Sequence, residues 1–280
     1  MRTALLLTVM GLCLSAAAPE KLNFQFRRRV ETSPGSGEYR IVTESAAWDA
    51  RKTAVVICDM WDKHWCIEAS ERVAEMAPRM NEVITRLREQ GVLIIHCPSD
   101  TMKYYANHPG RKLAQSAPKV ETAIPLERWC KLVAGKEGAL PVDDSDNGCP
   151  QGPPPKDYLV WSHEIDTLQI KEGDAITDSA EAFYLMKERG IENVIVMGVH
   201  LNMCVLGRPF SIRQMVRQGQ HVVLMRDMTD CLYNPAKPPH VDHFTANDLL
   251  IAHVEKNWCP TISSDQVLGG SAFKFAGDKR

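Results

Sequence analysis

The sequence predicts a three-layer α/β/α domain around a central, mostly parallel sheet, and three observations carry that prediction. Continuous apolar runs such as Thr53-Ala54-Val55-Val56-Ile57-Cys58 and Val92-Leu93-Ile94-Ile95 read as strands buried on both faces. Between them Val73, Met76, Met80, Val83, Ile84 and Leu87 recur at three- and four-residue steps, the spacing of an amphipathic helix. The alternation resumes beyond residue 171, and such alternation implies parallel pairing through right-handed crossovers.

Taken in order, residues 1–18 read as a secretory signal peptide. Arg2 precedes the apolar run Ala4 to Ser15, and Ala16-Ala17-Ala18-Pro19 follows. Export to a periplasmic or extracellular space is therefore expected, with a mature chain free of the membrane. Residues 19–50 show no clear period, hold Arg27-Arg28-Arg29 and a Ser-Pro-Gly-Ser-Gly stretch, and read as an irregular arm. Residues 51–280 then form a single domain. Its first strand ends at Asp59, and a kink or a restart is expected in the following helix at Pro78. Gly91 stops that helix before the second strand. From about 101 to 171 runs a long insertion, with a short strand expected near Tyr158 to Trp161. Excursions of this length are usually lids or disordered. Helices are expected at Ser179–Arg189, Cys204–Gln218 and His243–Trp258, with strands at Asn193–Gly198 and His221–Arg226.

Composition excludes several classes of function. With 33 basic and 35 acidic side chains the formal charge is -2, so neither a nucleic-acid-binding excess nor an acidic tail is present. No stretch after the leader approaches the roughly 20 apolar residues of a membrane span. Nine cysteines, one of them Cys13 in the leader, include no CxxC pair, which argues against a zinc knuckle or thioredoxin-type site. Cys58 and Cys97 read as small buried hydrophobes, and no pairing can be read. A small-molecule substrate is the expected partner, no cofactor is expected, and a homo-oligomer is left open.

Ligands of an open parallel sheet bind outside the carboxyl ends of its strands. Asp59 ends one fully apolar strand, where a carboxylate costs desolvation energy unless partnered. Burial raises its pKa, which suits a group that accepts a proton and returns it. Cys204 follows another strand end, in Gly198-Val199-His200-Leu201-Asn202-Met203-Cys204, where a helix begins. A helix N-terminus lowers a thiol's pKa and offers N–H groups to an oxyanion.

The segments VVICDMWD and NVIVMGVHLNMCVLGRPFSIRQMVRQGQHVVLMRD together resemble the nicotinamidase and isochorismatase-like cysteine hydrolases, from about residue 53 to 260. The resemblance implies the isochorismatase-like hydrolase fold and cleavage of a C–N bond in a small amide. It implies Cys204 as nucleophile, Asp59 as base, and an oxyanion hole from the backbone N–H groups of His200 and Cys204. It also implies a cis peptide at Val199–His200. The family's lysine is missing: counting back about forty residues reaches Trp161-Ser162-His163, so His163 is the candidate replacement cation. The family's Asp-x-His metal pair is broken by Asp100-Thr101-Met102. His108 comes late, Asp62 and His64 offer an alternative pair, and no metal is expected. Trp61, Trp65 and Tyr104 are candidate pocket walls. Arg208, Arg213 and Arg217 share a helix that either binds an anionic substrate or is an ion-paired face. A catalytically silent binding relative is one alternative. The other is a thiol redox protein with Cys66 as resolving cysteine.

Overall fold

A computed structural model describes residues 20–280, so the expected leader and Cys13 lie outside the described residues. Two strands open the described chain, β1 (Lys21–Glu31) and β2 (Tyr39–Asp49), and a 3-10 turn leads into β3 (Thr53–Cys58). Next come α1 (Ile67–Glu89), β4 (Leu93–Cys97), α2 (Pro109–Ser116), β5 (Ala175–Ile176) and α3 (Glu181–Glu188). β6 (Asn193–Val199), α4 (Cys204–Gly207), α5 (Ile212–Arg217) and β7 (His221–Asp230) follow. The chain closes with α6 (His243–Asn257), β8 (Thr261–Ile262) and α7 (Asp265–Leu268). No described helix is long and apolar enough to cross a membrane.

The strands form one sheet in the order β2-β1-β8-β7-β6-β3-β4-β5. From β8 to β5 all neighbours are parallel, and the β1–β2 and β1–β8 pairs are antiparallel. Every residue of β3 is buried, as its unbroken apolar run requires. Side chains alternate across the strand. Val55 and Ile57 pack with Met76, Met80 and Ile84 of α1, while Ala54 and Val56 pack with Leu185, Met215 and Leu250 of α3, α5 and α6. This is the expected three-layer arrangement.

Four local expectations are corrected. Residues 19–50 are not an irregular arm but an antiparallel hairpin in full register, Lys21 opposite Asp49 through Glu31 opposite Tyr39. Leu22 and Phe24 alternate inward and pack with Trp48, while the Ser-Pro-Gly-Ser-Gly stretch supplies the turn. α1 does not restart at Pro78 but runs through it, because Met76, Ala77 and Met80 are all fully buried and tertiary packing outweighs the lost backbone bond. Tyr158–Trp161 forms no strand. Val160 N–H donates to Tyr158 C=O in a tight turn, and the nearby ladder is a single bridge of Trp61 with Glu164. The helix expected over Cys204–Gln218 is two helices. Arg208, preceding Pro209, is extended at φ -66°, ψ 157°, since a proline excludes its predecessor from the α region.

Most of the insertion has no regular structure, yet it is fastened to the body. A disulfide joins Cys66, at the start of α1, to Cys149. The buried Glu137 carboxylate accepts from Arg213 Nε at 2.8 Å, His253 Nε2 at 2.9 Å and Trp258 Nε1 at 2.8 Å. Arg217 reaches Glu127 at 2.6 Å. Two of the three helix arginines thus clamp the insertion and are not substrate ligands.

On β4, buried His96 meets Glu164 through Nδ1 at 2.5 Å and Asp174 through Nε2 at 3.3 Å. Burial pushes this imidazole down, but the two carboxylates prevail and raise it to about 9. A folded-state pKa raised above the unfolded value of 6.5 gives stability that is complete below pH 6.5 and is lost as pH climbs through about 9. Urea midpoints should therefore fall between pH 6.5 and 9 in the native protein. The fall should be much smaller in His96→Gln, and equal slopes in the two proteins would remove His96 as its source.

Candidate active site

The parallel strands β3, β4 and β6 deliver their carboxyl ends to one cavity of about 450 Å³. Asp59, the residue after β3, is fully buried and takes a left-handed backbone at φ 50°, which aspartate tolerates better than most residues. Its Oδ1 accepts from Ser99 N–H at 2.8 Å, and its Oδ2 lies 3.3 Å from Arg208 Nε. Cys204 begins α4 and is 8% exposed, on the cavity wall. β6 can approach β3 so closely only through Gly198: a Cβ there would lie 2.0 Å from Cys58 O, at φ 109°. The Val199–His200 peptide is cis. Met203 and Val205 both donate to His200 C=O, while the N–H groups of His200 and Cys204 have no acceptor among the described residues.

Charge sets the resting state. Burial pushes Asp59 up from the usual carboxylate range, opposed by Arg208, the Cys204 thiol and Ser99. Burial likewise pushes the Cys204 thiol well above its ordinary range; Asp59 adds to the rise and Arg208 opposes it. The expectation that a helix start lowers this thiol is therefore overturned, because α4 is one turn long and desolvation outweighs it. The site holds a thiol that burial keeps protonated, beside the Asp59 carboxyl group.

Arg208 is the cation that counting along the sequence missed. Its Nη2 also lies 3.3 Å from Asp100 Oδ2, and its guanidinium sits 5.6 Å from the Trp129 ring centroid. Pro209 was the available signal, since it ends α4 and turns Arg208 back toward Asp59. His163 does not line the cavity. It pairs instead with Asp166 at 3.2 Å and Asp62 at 3.6 Å and stacks on Tyr104, whose exposure of 62% likewise places it outside. Trp61 and Trp65 do form cavity wall, joined by Trp129, Tyr158 and Trp161 from the insertion. Gly207 gives Trp129 its place, for a Cβ there would come within 2.7 Å of the indole.

The residues considered for a metal do not fit one. Asp100 is engaged by Arg208, and His108 accepts from Gly110 N–H to cap α2. Asp62 accepts from Ser162, while His64 Nδ1 accepts from Cys66 N–H. Asp230, Cys231 and His243 bring ligand atoms together, but Arg72 and His243 occupy the two Asp230 oxygens at 2.7 Å each. Cys66 is in the disulfide, which leaves it no free thiol to resolve an oxidised Cys204.

Several solved structures are similar to the chain in fold. No family model matches the chain, and no curated protein does. The chain is similar to a cysteine hydrolase from Pseudomonas syringae pv. phaseolicola 1448A at 15% identity, covering 79% of this chain and 92% of that one, TM-score 0.48. An isochorismatase from Pseudomonas putida KT2440 is 15% identical over 77% and 89% of the two chains, TM-score 0.45. An isochorismatase family protein from Burkholderia thailandensis is 14% identical over 77% and 93%, TM-score 0.44.

Six described cysteines are free and buried, and of these Cys204 lines the cavity. Brief iodoacetamide treatment of the native protein should label Cys204 before the others, faster as pH rises toward its elevated pKa. Peptide mapping that finds Cys259 or Cys130 labelled first would contradict this geometry.

Proposed function

We propose that the chain is a cysteine hydrolase that cleaves the C–N bond of a small amide, exported to an oxidising compartment. The observation that carries this reading is the buried Asp59 carboxylate held between Arg208 and the cavity-lining Cys204. The disulfide Cys66–Cys149 fits an oxidising compartment, where such bonds persist.

The chemistry follows from the placement of the groups. Asp59 takes the thiol proton as the sulfur attacks the amide carbon, so no free thiolate need accumulate. The carbonyl oxygen becomes an oxyanion facing the backbone N–H groups of His200 and Cys204. Collapse breaks the C–N bond, and the amine leaves with the proton from Asp59. Water then attacks the thioester as Asp59 takes its proton; collapse breaks the C–S bond, Asp59 returns the proton to the sulfur, and the acid product leaves. Arg208 opposes the rise in the Asp59 pKa that burial causes, which favours the form able to accept a proton. A guanidinium never loses its charge in a protein, so it acts as a fixed counter-charge and carries no proton.

Ammonia release from a panel of small amides tests the reading. Cys204→Ala should lose about 10³-fold or more of any turnover, as removal of a nucleophile generally does. Arg208→Met keeps the aliphatic stem but removes the charge, so Asp59 should hold its proton to higher pH. The acid limb of the pH–rate profile should then move upward, while Arg208→Lys should leave it nearly in place. No turnover on any amide, together with a Cys204 that resists alkylation, would defeat the proposal.

A further inference from the structure

The charge and walls of the Cys204 cavity identify a class of substrate, an inference that rests on the hydrolase reading. Five aromatic residues line the space: Trp61, Trp65, Trp129, Tyr158 and Trp161. Asp100 and Arg208 are the lining Asp, Glu, Lys or Arg residues. The single guanidinium of Arg208 faces two carboxylates, Nε toward Asp59 and Nη2 toward Asp100, each at 3.3 Å. The two lining imidazoles add no compensating charge. Burial pushes His64 down to about 4 and holds His200 well below its ordinary value. The buried Asp59 and the lining Asp100 thus share one guanidinium, two carboxyl groups to one cation, and that cation is already engaged.

An anionic substrate would meet the Asp100 carboxylate and no free cation. A positively charged one would meet attraction from Asp100 at the cavity mouth, where that side chain is 34% exposed, and from the faces of the aromatic rings. We propose that the site takes a small amide bearing a permanent N-alkylated positive charge, held among Trp61, Trp65, Tyr158 and Trp161 with Asp100 as its counter-charge. The charged group occupies the aromatic end and the amide carbonyl faces Cys204. The hydrolysis balances as above, since the cationic group takes no part in bond exchange.

Three probes of nearly one shape test this on the full chain: choline, 3,3-dimethylbutan-1-ol, in which carbon replaces the charged nitrogen, and 3,3-dimethylbutanoate. Tryptophan fluorescence titration and protection of Cys204 from iodoacetamide are read together. Choline should bind at least about tenfold more tightly than the neutral alcohol, and the butanoate most weakly. Asp100→Asn, at a left-handed position (φ 64°) that asparagine tolerates, should shrink the choline preference to about threefold or less. Trp161→Leu should weaken choline more than the alcohol. Equal binding of choline and the alcohol, preference for the butanoate, or no binding of any probe would each overturn the proposal. Trimethylammonioacetamide should likewise be hydrolysed in preference to 3,3-dimethylbutanamide. Choline binding that persists while neither amide turns over would sink the hydrolase reading and leave the cation site standing.

Discussion

The ion pair between Asp59 and Arg208 is the constraint on which the rest of the site depends. A carboxylate with no solvent exposure, at the end of a strand buried on both faces, is tolerable only with a permanent counter-charge and a backbone donor. Arg208 and Ser99 N–H supply these. Stripping the cation from such a pair costs about 3 kcal/mol, toward the lower end of the usual range because Arg208 retains 15% side-chain exposure. The same pair sets the chemistry. It keeps the carboxylate basic beside a thiol that burial has made reluctant to ionise, and it consumes the charge an anionic ligand would need.

Three backbone constraints bring the pair together. Asp59 turns into the left-handed region as β3 ends, aiming its carboxylate across the strand ends instead of along the chain. Gly198 lets β6 lie against the Cys58 backbone, which fixes the depth from which the turn to Cys204 rises. Pro209 excludes Arg208 from helical geometry, so α4 stops after Gly207 and the guanidinium folds back over the cavity. None of these is a side-chain contact.

Much of this was legible in the sequence, and the gaps have identifiable causes. Asp59 stood out because it ends an apolar strand where a polar residue needs a reason, and Cys204 because it opens the helix that follows another such strand. The three-layer arrangement was legible in period and alternation. Arg208 was visible only as one member of an arginine series on a supposedly continuous helix. Reading Pro209 as a break would have separated it from Arg213 and Arg217, which hold the insertion. His163 was reached by counting along the chain and Tyr104 by its aromatic ring, and neither distance along a chain nor residue type reports which loop folds over which cavity. The hairpin at residues 21–49 was obscured because its inward alternation of Leu22 and Phe24 runs into three consecutive arginines. Trp129, Tyr158 and Trp161 belong to a segment without period, so nothing local announced them as wall.

The bond between Cys66 and Cys149 has a bearing on how such a wall behaves. It ties the aromatic insertion to the start of α1, a few residues from Trp61. The crosslink divides the excursion into shorter loops, and a shorter loop loses less conformational entropy when it is held in place. The segment can thus be irregular and still lie over the nucleophile, because a leash and a few side-chain pairs stand in for a ladder of backbone hydrogen bonds.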